Sequence, residues 1–214
     1  MRLVLPRLYV ILDATLLNNS PHECARELAD AGVRLLQYRD KSASARDLLA
    51  TSRELVSSLS SHGASLVVND RPDLAVLAGG AGVHVGQEDL DPQQARAVVG
   101  EEMWIGTSTH NLEQFRRAAA TSADYIAVGP IFATTSKANP DPVVGLELIR
   151  QVRHLTEKPI VAIGGITLER AASVIEAGAD SVAVIRDVVC AAKPGERARR
   201  FLDILGAANH AATV

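Results

Sequence analysis

Eight times along this chain a short apolar run gives way to a polar tip and then to a segment with helical periodicity. The runs fall at residues 8–12, 33–38, 65–68, 82–85, 103–106, 125–128, 160–163 and 181–185, and Val, Ile, Leu and Ala dominate most of them. Short runs with little polar alternation suit strands buried on both faces, as in a parallel sheet covered by helices. Strand-then-helix units repeated through 214 residues predict an α/β fold, a single (β/α)8 TIM barrel. The competing architecture is an open doubly wound sheet. No strand here leads into a Gly-x-Gly-x-x-Gly turn, so the mark of a dinucleotide-binding sheet is missing. One barrel domain over residues 1–214 is expected, with an ordered core at about 8–205 and a short frayed tail at 206–214.

Only 3% of the residues are aromatic although 47% are hydrophobic, so the core must be built from aliphatic side chains. A net charge of -3 gives no overall attraction to nucleic acid or to an anionic membrane, and any anion site must be local. No apolar run is long enough to span a bilayer, and Arg7 interrupts the apolar N-terminal stretch, which argues against a signal peptide. Cys24 and Cys190 lie in helix-like segments without metal-type spacing. They read as small buried thiols in a reducing cytoplasm.

In a barrel of this kind all eight tips ring one mouth, so residues far apart in sequence converge there. The densest tip follows the second run, Gln37-Tyr38-Arg39-Asp40-Lys41. If the strand persists, Gln37, Arg39 and Lys41 point to one side, two cations and an amide aimed at a single spot. Asn69 at the third tip and Lys137 in the long segment 129–144 extend this cluster. Arg offers a planar fork to phosphate oxygens and Lys a compact charge. Each alone is as easily a solvated surface cation.

Asp70 and Asp89, from the third and fourth tips, are the acidic counterpart. Two carboxylates beside an anion site would repel the ligand without a cation, and Mg²⁺ typically takes one or two carboxylates plus phosphate oxygens and water. Three basic side chains and a magnesium ion less two aspartates leave about +3, near the charge of a diphosphate. Either aspartate alone could instead cap a helix or turn. A second anion site is suggested by Gly164-Gly165 after the seventh run and Ile185-Arg186 after the eighth, where backbone N–H groups can hold a phosphate.

The hydroxyl-rich segment from Gly129 through Thr134, Thr135, Ser136 and Lys137 is expected to be a lid or binding loop. His84 is either a satisfied core histidine or a substrate contact, while His110 caps or contacts backbone. No Ser-His-Asp or Cys-His set is visible, so acyl chemistry is not suggested.

In their order along the chain these tips resemble thiamine-phosphate synthase. The matching stretches are Gln37-Tyr38-Arg39-Asp40-Lys41, Val68-Asn69-Asp70-Arg71, His84-Val85-Gly86-Gln87-Glu88-Asp89, Gly106-Thr107-Ser108-Thr109-His110, Gly129-Pro130-Ile131-Phe132 through Lys137, and Ile163-Gly164-Gly165-Ile166. The resemblance implies a transferase that joins a hydroxymethylpyrimidine diphosphate to a thiazole phosphate or its carboxylated form, releasing pyrophosphate by a dissociative, Mg²⁺-assisted route. By this resemblance Gln37, Tyr38, Arg39, Asp40, Lys41, Asn69, His84, Ser108 and Lys137 hold the pyrimidine diphosphate. Arg39, Lys41, Ser108 and Lys137 would act in catalysis, with Asp70 and Asp89 on Mg²⁺. Thr134, Thr135, Ser136, Gly164, Gly165, Ile185 and Arg186 would take the thiazole phosphate.

Ser136 stands where the family commonly has Thr, and Arg186 where Ser is common. The implied partners are two small phosphorylated substrates, without nucleic acid or membrane, and copies of the same chain should it assemble. A thiazole tautomerase on the same barrel would need neither the Arg39-Lys41 cluster nor the aspartate pair. A non-catalytic phosphate-binding regulator is the other rival, and it would bind without turnover.

Overall fold

The structure, a computed structural model, describes residues 5–134 and 141–211, with side chains as far as Gly206. Eight parallel strands close on themselves in sequence order, β8 pairing with β1. They are β1 Leu8–Asp13, β2 Leu35–Arg39, β3 Ser65–Asn69, β4 Gly82–Val85, β5 Trp104–Thr109, β6 Tyr125–Val128, β7 Ile160–Ile163 and β8 Ser181–Val184. The helices around them are α1 Pro21–Asp30, α2 Ala45–Ser60, α3 Pro72–Ala78, α4 Pro92–Val99, α5 Leu112–Ala119, α6 Gly145–Arg153, α7 Leu168–Glu176, α8 Arg186–Val189 and α9 Pro194–Ala211. This is the expected (β/α)8 barrel. Among the described residues no helix is long and apolar enough to cross a membrane.

Side chains alternate along each strand, so the strands feed two layers, one inside the barrel and one against the helices. Tyr9, Ile11, Leu35, Val67, Tyr125 and Val161 fill the barrel interior. Val10, Leu12, Leu36, Tyr38, Val68 and Ile126 face the helices. Burial on both sides explains why the strands read as continuous apolar runs rather than alternating ones.

Local chemistry starts the helices. Asp91 caps α4, accepting from the Gln93 and Gln94 N–H groups at 2.8 and 2.9 Å, with Pro92 in the first turn. Asn111 caps α5 through the Gln114 N–H at 2.9 Å.

Three stretches depart from expectation. β5 runs on through Thr107-Ser108-Thr109 instead of ending at Gly106, because two of those residues are β-branched and pair with β6. A one-turn helix, α8, follows β8 directly and is too short to show periodicity. The last helix continues to Ala211, so the expected frayed tail is helical over most of its length.

Candidate active site at the barrel mouth

A cavity of about 530 Å³ opens at the carboxyl ends of the strands. β2 contributes Gln37 and Arg39 and the following loop contributes Lys41. Asn69 and Asp70 come from the end of β3, His84 and Asp89 from β4 and its loop, and Ser108 from β5. The structure therefore brings Gln37, Arg39, Lys41 and Asn69 together with both aspartates.

Arg39 is not a free cation. The β1–β2 register sets Asp13 directly opposite it, and the guanidinium donates to the Asp13 carboxylate. Asp13 is only 2% exposed, and its other oxygen accepts from the Thr15 N–H at 3.1 Å and the Thr15 hydroxyl at 2.6 Å. The charge tally made from sequence overlooked this carboxylate, which lowers the mouth's net positive charge by one. Lys41 pairs with Asp70, Nζ to Oδ2 at 3.1 Å, in an exposed contact that an arriving anion can replace.

Asp70 follows β3 with φ of 61°, the left-handed region that few residues other than glycine adopt. Its N–H donates to the His84 carbonyl at 2.8 Å, so β4 pins this conformation. Strain held in place at a cleft marks a site where side-chain direction matters. Asp89 accepts from the Gly86 N–H at 2.7 Å. Burial, and after it the adjacent Asp70 carboxylate, hold the Asp89 carboxyl above the ordinary carboxylate range, against the opposing pull of the Gly86 N–H. Two hard oxygen donors forced together suit a cation such as Mg²⁺, which completes its shell with phosphate oxygens and water. Among the described residues no cluster of three or more His, Cys, Asp and Glu side chains forms, so a zinc-type ligand set is not built here.

Below the mouth a chain of polar groups crosses the barrel interior. The Gln37 Nε2 group donates to the Tyr9 hydroxyl at 2.7 Å, and the Tyr9 and Tyr125 hydroxyls lie 3.2 Å apart. Tyr125 meets His84 Nδ1 at 3.1 Å, and His84 Nε2 meets the Ser108 hydroxyl at 2.9 Å. Gly106 makes room for this arrangement, since a Cβ there would overlap the Tyr125 ring and its hydroxyl. His84 thus belongs to both alternatives left open by the sequence: a satisfied interior residue that also lines the cavity.

A second cavity, about 440 Å³, lies beside the first, and Ile163 and Ile185 line both. Thr134, Gly164, Gly165 and Arg186 surround it. Gly165 has φ of 62°, and a Cβ there would press on the backbone of Phe132 and Ala133. Asp187 accepts from the Leu168 N–H at 2.9 Å at the start of α7, and Arg197 forks onto that carboxylate at 2.7 and 2.9 Å. Arg170 also lines this cavity, resting on the Phe132 ring 4.6 Å from its centroid and donating to the Gly165 carbonyl at 3.0 Å. Arg170 and Arg186 thus place two guanidinium groups at the edge of this cavity.

Two expected site residues are not brought to the mouth. Tyr38 points outward into the layer between barrel and helices, because it alternates with Gln37 and Arg39. Asp40 organises the loop after β2, accepting from the Ser42 N–H at 2.9 Å, the Ser42 hydroxyl at 2.7 Å and the Ala43 N–H at 3.0 Å. Thr135, Ser136 and Lys137 lie outside the described residues. The flanks of their loop are well tied: Ile131 N–H donates to Ile163 O at 2.9 Å and Phe132 N–H to Gly164 O at 3.0 Å. His110 Nδ1–H donates to the Gly129 carbonyl at 2.7 Å, the backbone contact expected of it.

Residues missed by sequence reasoning are Asp13, Tyr9, Tyr125 and Arg170. Only the pairing of neighbouring strands and the inward parity of β1 and β6 could have signalled the first three.

Comparison with known proteins was made against this geometry. The family model for thiamine monophosphate synthase matches residues 8–188. A thiamine-phosphate synthase of Koribacter versatilis is 56% identical over 208 residues, covering 95% of this chain and 97% of that one. One from Methanospirillum hungatei is 39% identical over 199 residues, covering 92% and 97%. Among solved structures, a thiamine phosphate pyrophosphorylase from Pyrococcus furiosus superposes with a TM-score of 0.86 at 31% identity, covering 94% of this chain and 96% of that one. With its barrel and this match along most of its length, the chain belongs to the thiamine monophosphate synthase family.

Proposed function

We propose that this protein joins 4-amino-2-methyl-5-hydroxymethylpyrimidine diphosphate to 4-methyl-5-hydroxyethylthiazole phosphate, or its carboxylated form, giving thiamine phosphate and pyrophosphate, with carbon dioxide also released from the carboxylated form. The observation that carries the reading is the pair of adjoining cavities at one mouth. One offers Arg39, Lys41 and two aspartates, the other a glycine-lined nest edged by arginines. Two phosphorylated substrates with different charges need two such places side by side.

In this reaction the bond from the pyrimidine methylene carbon to the diphosphate oxygen breaks, and its electron pair leaves with the diphosphate. The lone pair of the thiazole nitrogen then forms the new carbon–nitrogen bond. Arg39 and Lys41 would hold the departing diphosphate, Lys41 exchanging Asp70 for a phosphate oxygen. Asn69 and Gln37 would orient the pyrimidine diphosphate, and Ser108 would sit beside its leaving bond. Thr134, Gly164, Gly165, Ile185 and Arg186 would seat the thiazole phosphate. Asp70 and Asp89 would hold Mg²⁺, which when bound supplies positive charge to the diphosphate. Thr135, Ser136 and Lys137 keep the roles implied by the family resemblance.

The walls of Ile163 and Ile185 would keep water from the methylene carbon while the nucleophile is aligned. No strong base is required, in keeping with a mouth built for charge neutralisation. We place the reaction in the cytoplasm, where free thiols are at home; Cys24 is buried as expected, whereas Cys190 is exposed, against expectation.

The test is direct. Purified protein given both substrates and Mg²⁺ should form thiamine phosphate, and EDTA should abolish it. No product with either thiazole form would overturn the assignment.

A further inference from the structure

The five-membered chain of polar groups inside the barrel has a direction, and the direction follows from counting hydrogens. An amide nitrogen can only donate, so the Tyr9 hydroxyl accepts from Gln37. The hydrogen of Tyr9 must then go to Tyr125, 3.2 Å away. Tyr125, having accepted, sends its own hydrogen to His84 Nδ1 at 3.1 Å. Burial pushes both phenols well above their ordinary range, so neither loses its hydrogen. Neutral His84 with Nδ1 accepting carries its hydrogen on Nε2 and gives it to Ser108 at 2.9 Å. The Ser108 hydroxyl, already an acceptor on the inner side, keeps its hydrogen for a partner on the cavity side.

We infer that Tyr9 and Tyr125 are positioning residues that fix His84 as the Nε2–H tautomer and turn the Ser108 hydroxyl into a hydrogen-bond donor facing the mouth. The inference rests on the proposed reaction for its purpose. A donor beside the breaking bond favours a leaving diphosphate that is gaining negative charge, whereas a lone pair there would oppose it. Gln37 sits at the other end of the same chain and also lines the cavity. With one N–H given to Tyr9, its carbonyl and second N–H remain for the substrate, and an exocyclic amino group on a pyrimidine is a matching donor for the carbonyl. Turning the Gln37 amide over would reverse every hydrogen along the chain and present a Ser108 lone pair instead. Gly106 is part of the construction, since only a residue without a side chain lets the Tyr125 hydroxyl lie beneath β5.

The first measurement needs no substrate. In protein labelled with ¹⁵N-histidine, long-range proton–nitrogen correlation reads the tautomer of each imidazole, and the His84→Gln variant identifies the His84 signals. Nε2–H is the expected form; Nδ1–H, or a doubly protonated ring, at neutral pH would overturn the inference. The second measurement is a double-mutant cycle. Tyr125→Phe should lower kcat by about tenfold, the value of one hydrogen bond to a developing charge. Ser108→Ala added to that background should cost less than about twofold further, because both changes remove the same donor.

Independent, multiplying losses would mean that Tyr125 acts through packing alone, and would overturn the inference. Tyr9→Phe leaves Tyr125 its hydrogen for His84, so it should lower kcat less than Tyr125→Phe does; the opposite order would overturn the direction of the chain. If Tyr125→Phe fails to fold, the wild-type tautomer still decides. A protein making no thiamine phosphate would defeat the proposed function and leave the tautomer result standing. An active enzyme with the wrong tautomer would defeat this inference alone.

Discussion

Replacing Asp13 by Asn tests how the diphosphate cluster is held before any ligand arrives. The carboxylate is 2% exposed, and its two oxygens have separate duties: one serves Thr15, the other accepts from Arg39. Asn keeps a carbonyl for Thr15 but turns an NH₂ group towards the guanidinium, donor against donor. Removing one partner of a fully buried ion pair costs about 3–5 kcal/mol. Arg39 retains 22% exposure on the cavity side, so water recovers part of the loss and we expect about 2 kcal/mol.

At this chain length each kcal/mol moves the midpoint by about 2–4 °C, so Asp13→Asn should melt about 4–8 °C below wild type by circular dichroism. Asp13→Ala, which also strands the Thr15 N–H and hydroxyl, should lose about 1 kcal/mol more. Adding inorganic pyrophosphate with Mg²⁺ should narrow the deficit, because the anion takes the place of the carboxylate beside Arg39. An Asp13→Asn protein that melts with wild type would show that Arg39 does not depend on Asp13, and the reasoning would fail.

Two further perturbations follow from the same geometry. Gly106→Ala drives a methyl group into the Tyr125 ring and should cost about 1–3 kcal/mol by denaturant titration; undiminished stability and turnover would mean the ring can move aside. Asp89 binds its proton more tightly folded than unfolded, so its contribution to stability falls as pH rises from the ordinary carboxylate range through the raised folded value. With EDTA present, Asp89→Asn should therefore melt above wild type at neutral pH, with the gap closing near about pH 4. A gap that ignores pH would mean that burial and the neighbouring Asp70 do not raise the proton affinity of Asp89.

The fold was legible because the strands are buried on both faces, which leaves unbroken apolar runs with polar punctuation at one end. The same property hid Tyr9 and Tyr125: an aromatic inside an apolar strand looks like any other core residue. Only closure of the barrel puts their hydroxyls against Gln37 and His84. Asp13 ends the first strand beside a local partner, Thr15, and its role towards Arg39 depends on the register of the next strand, 26 residues on. Tyr38 and Asp40 were drawn into the expected site because they interrupt a dense motif, although strand parity already turns Tyr38 away. Arg170 reads as an ordinary polar position on a surface helix; Gly164-Gly165 mark the rim where α7 begins, but nothing in the sequence says that Arg170 faces it. Thr107-Ser108-Thr109 read as a tip because its hydroxyls suggest a turn, yet two of the three favour extended backbone.

Ile163 and Ile185 are the partition shared by the two cavities. On the proposed assignment the finished molecule straddles that partition, one ring on each side, while pyrophosphate occupies a single compartment. Thiamine phosphate should then compete with both starting materials, and pyrophosphate with only one. A wall two side chains thick would in this way set the pattern of feedback that the reaction exerts on itself.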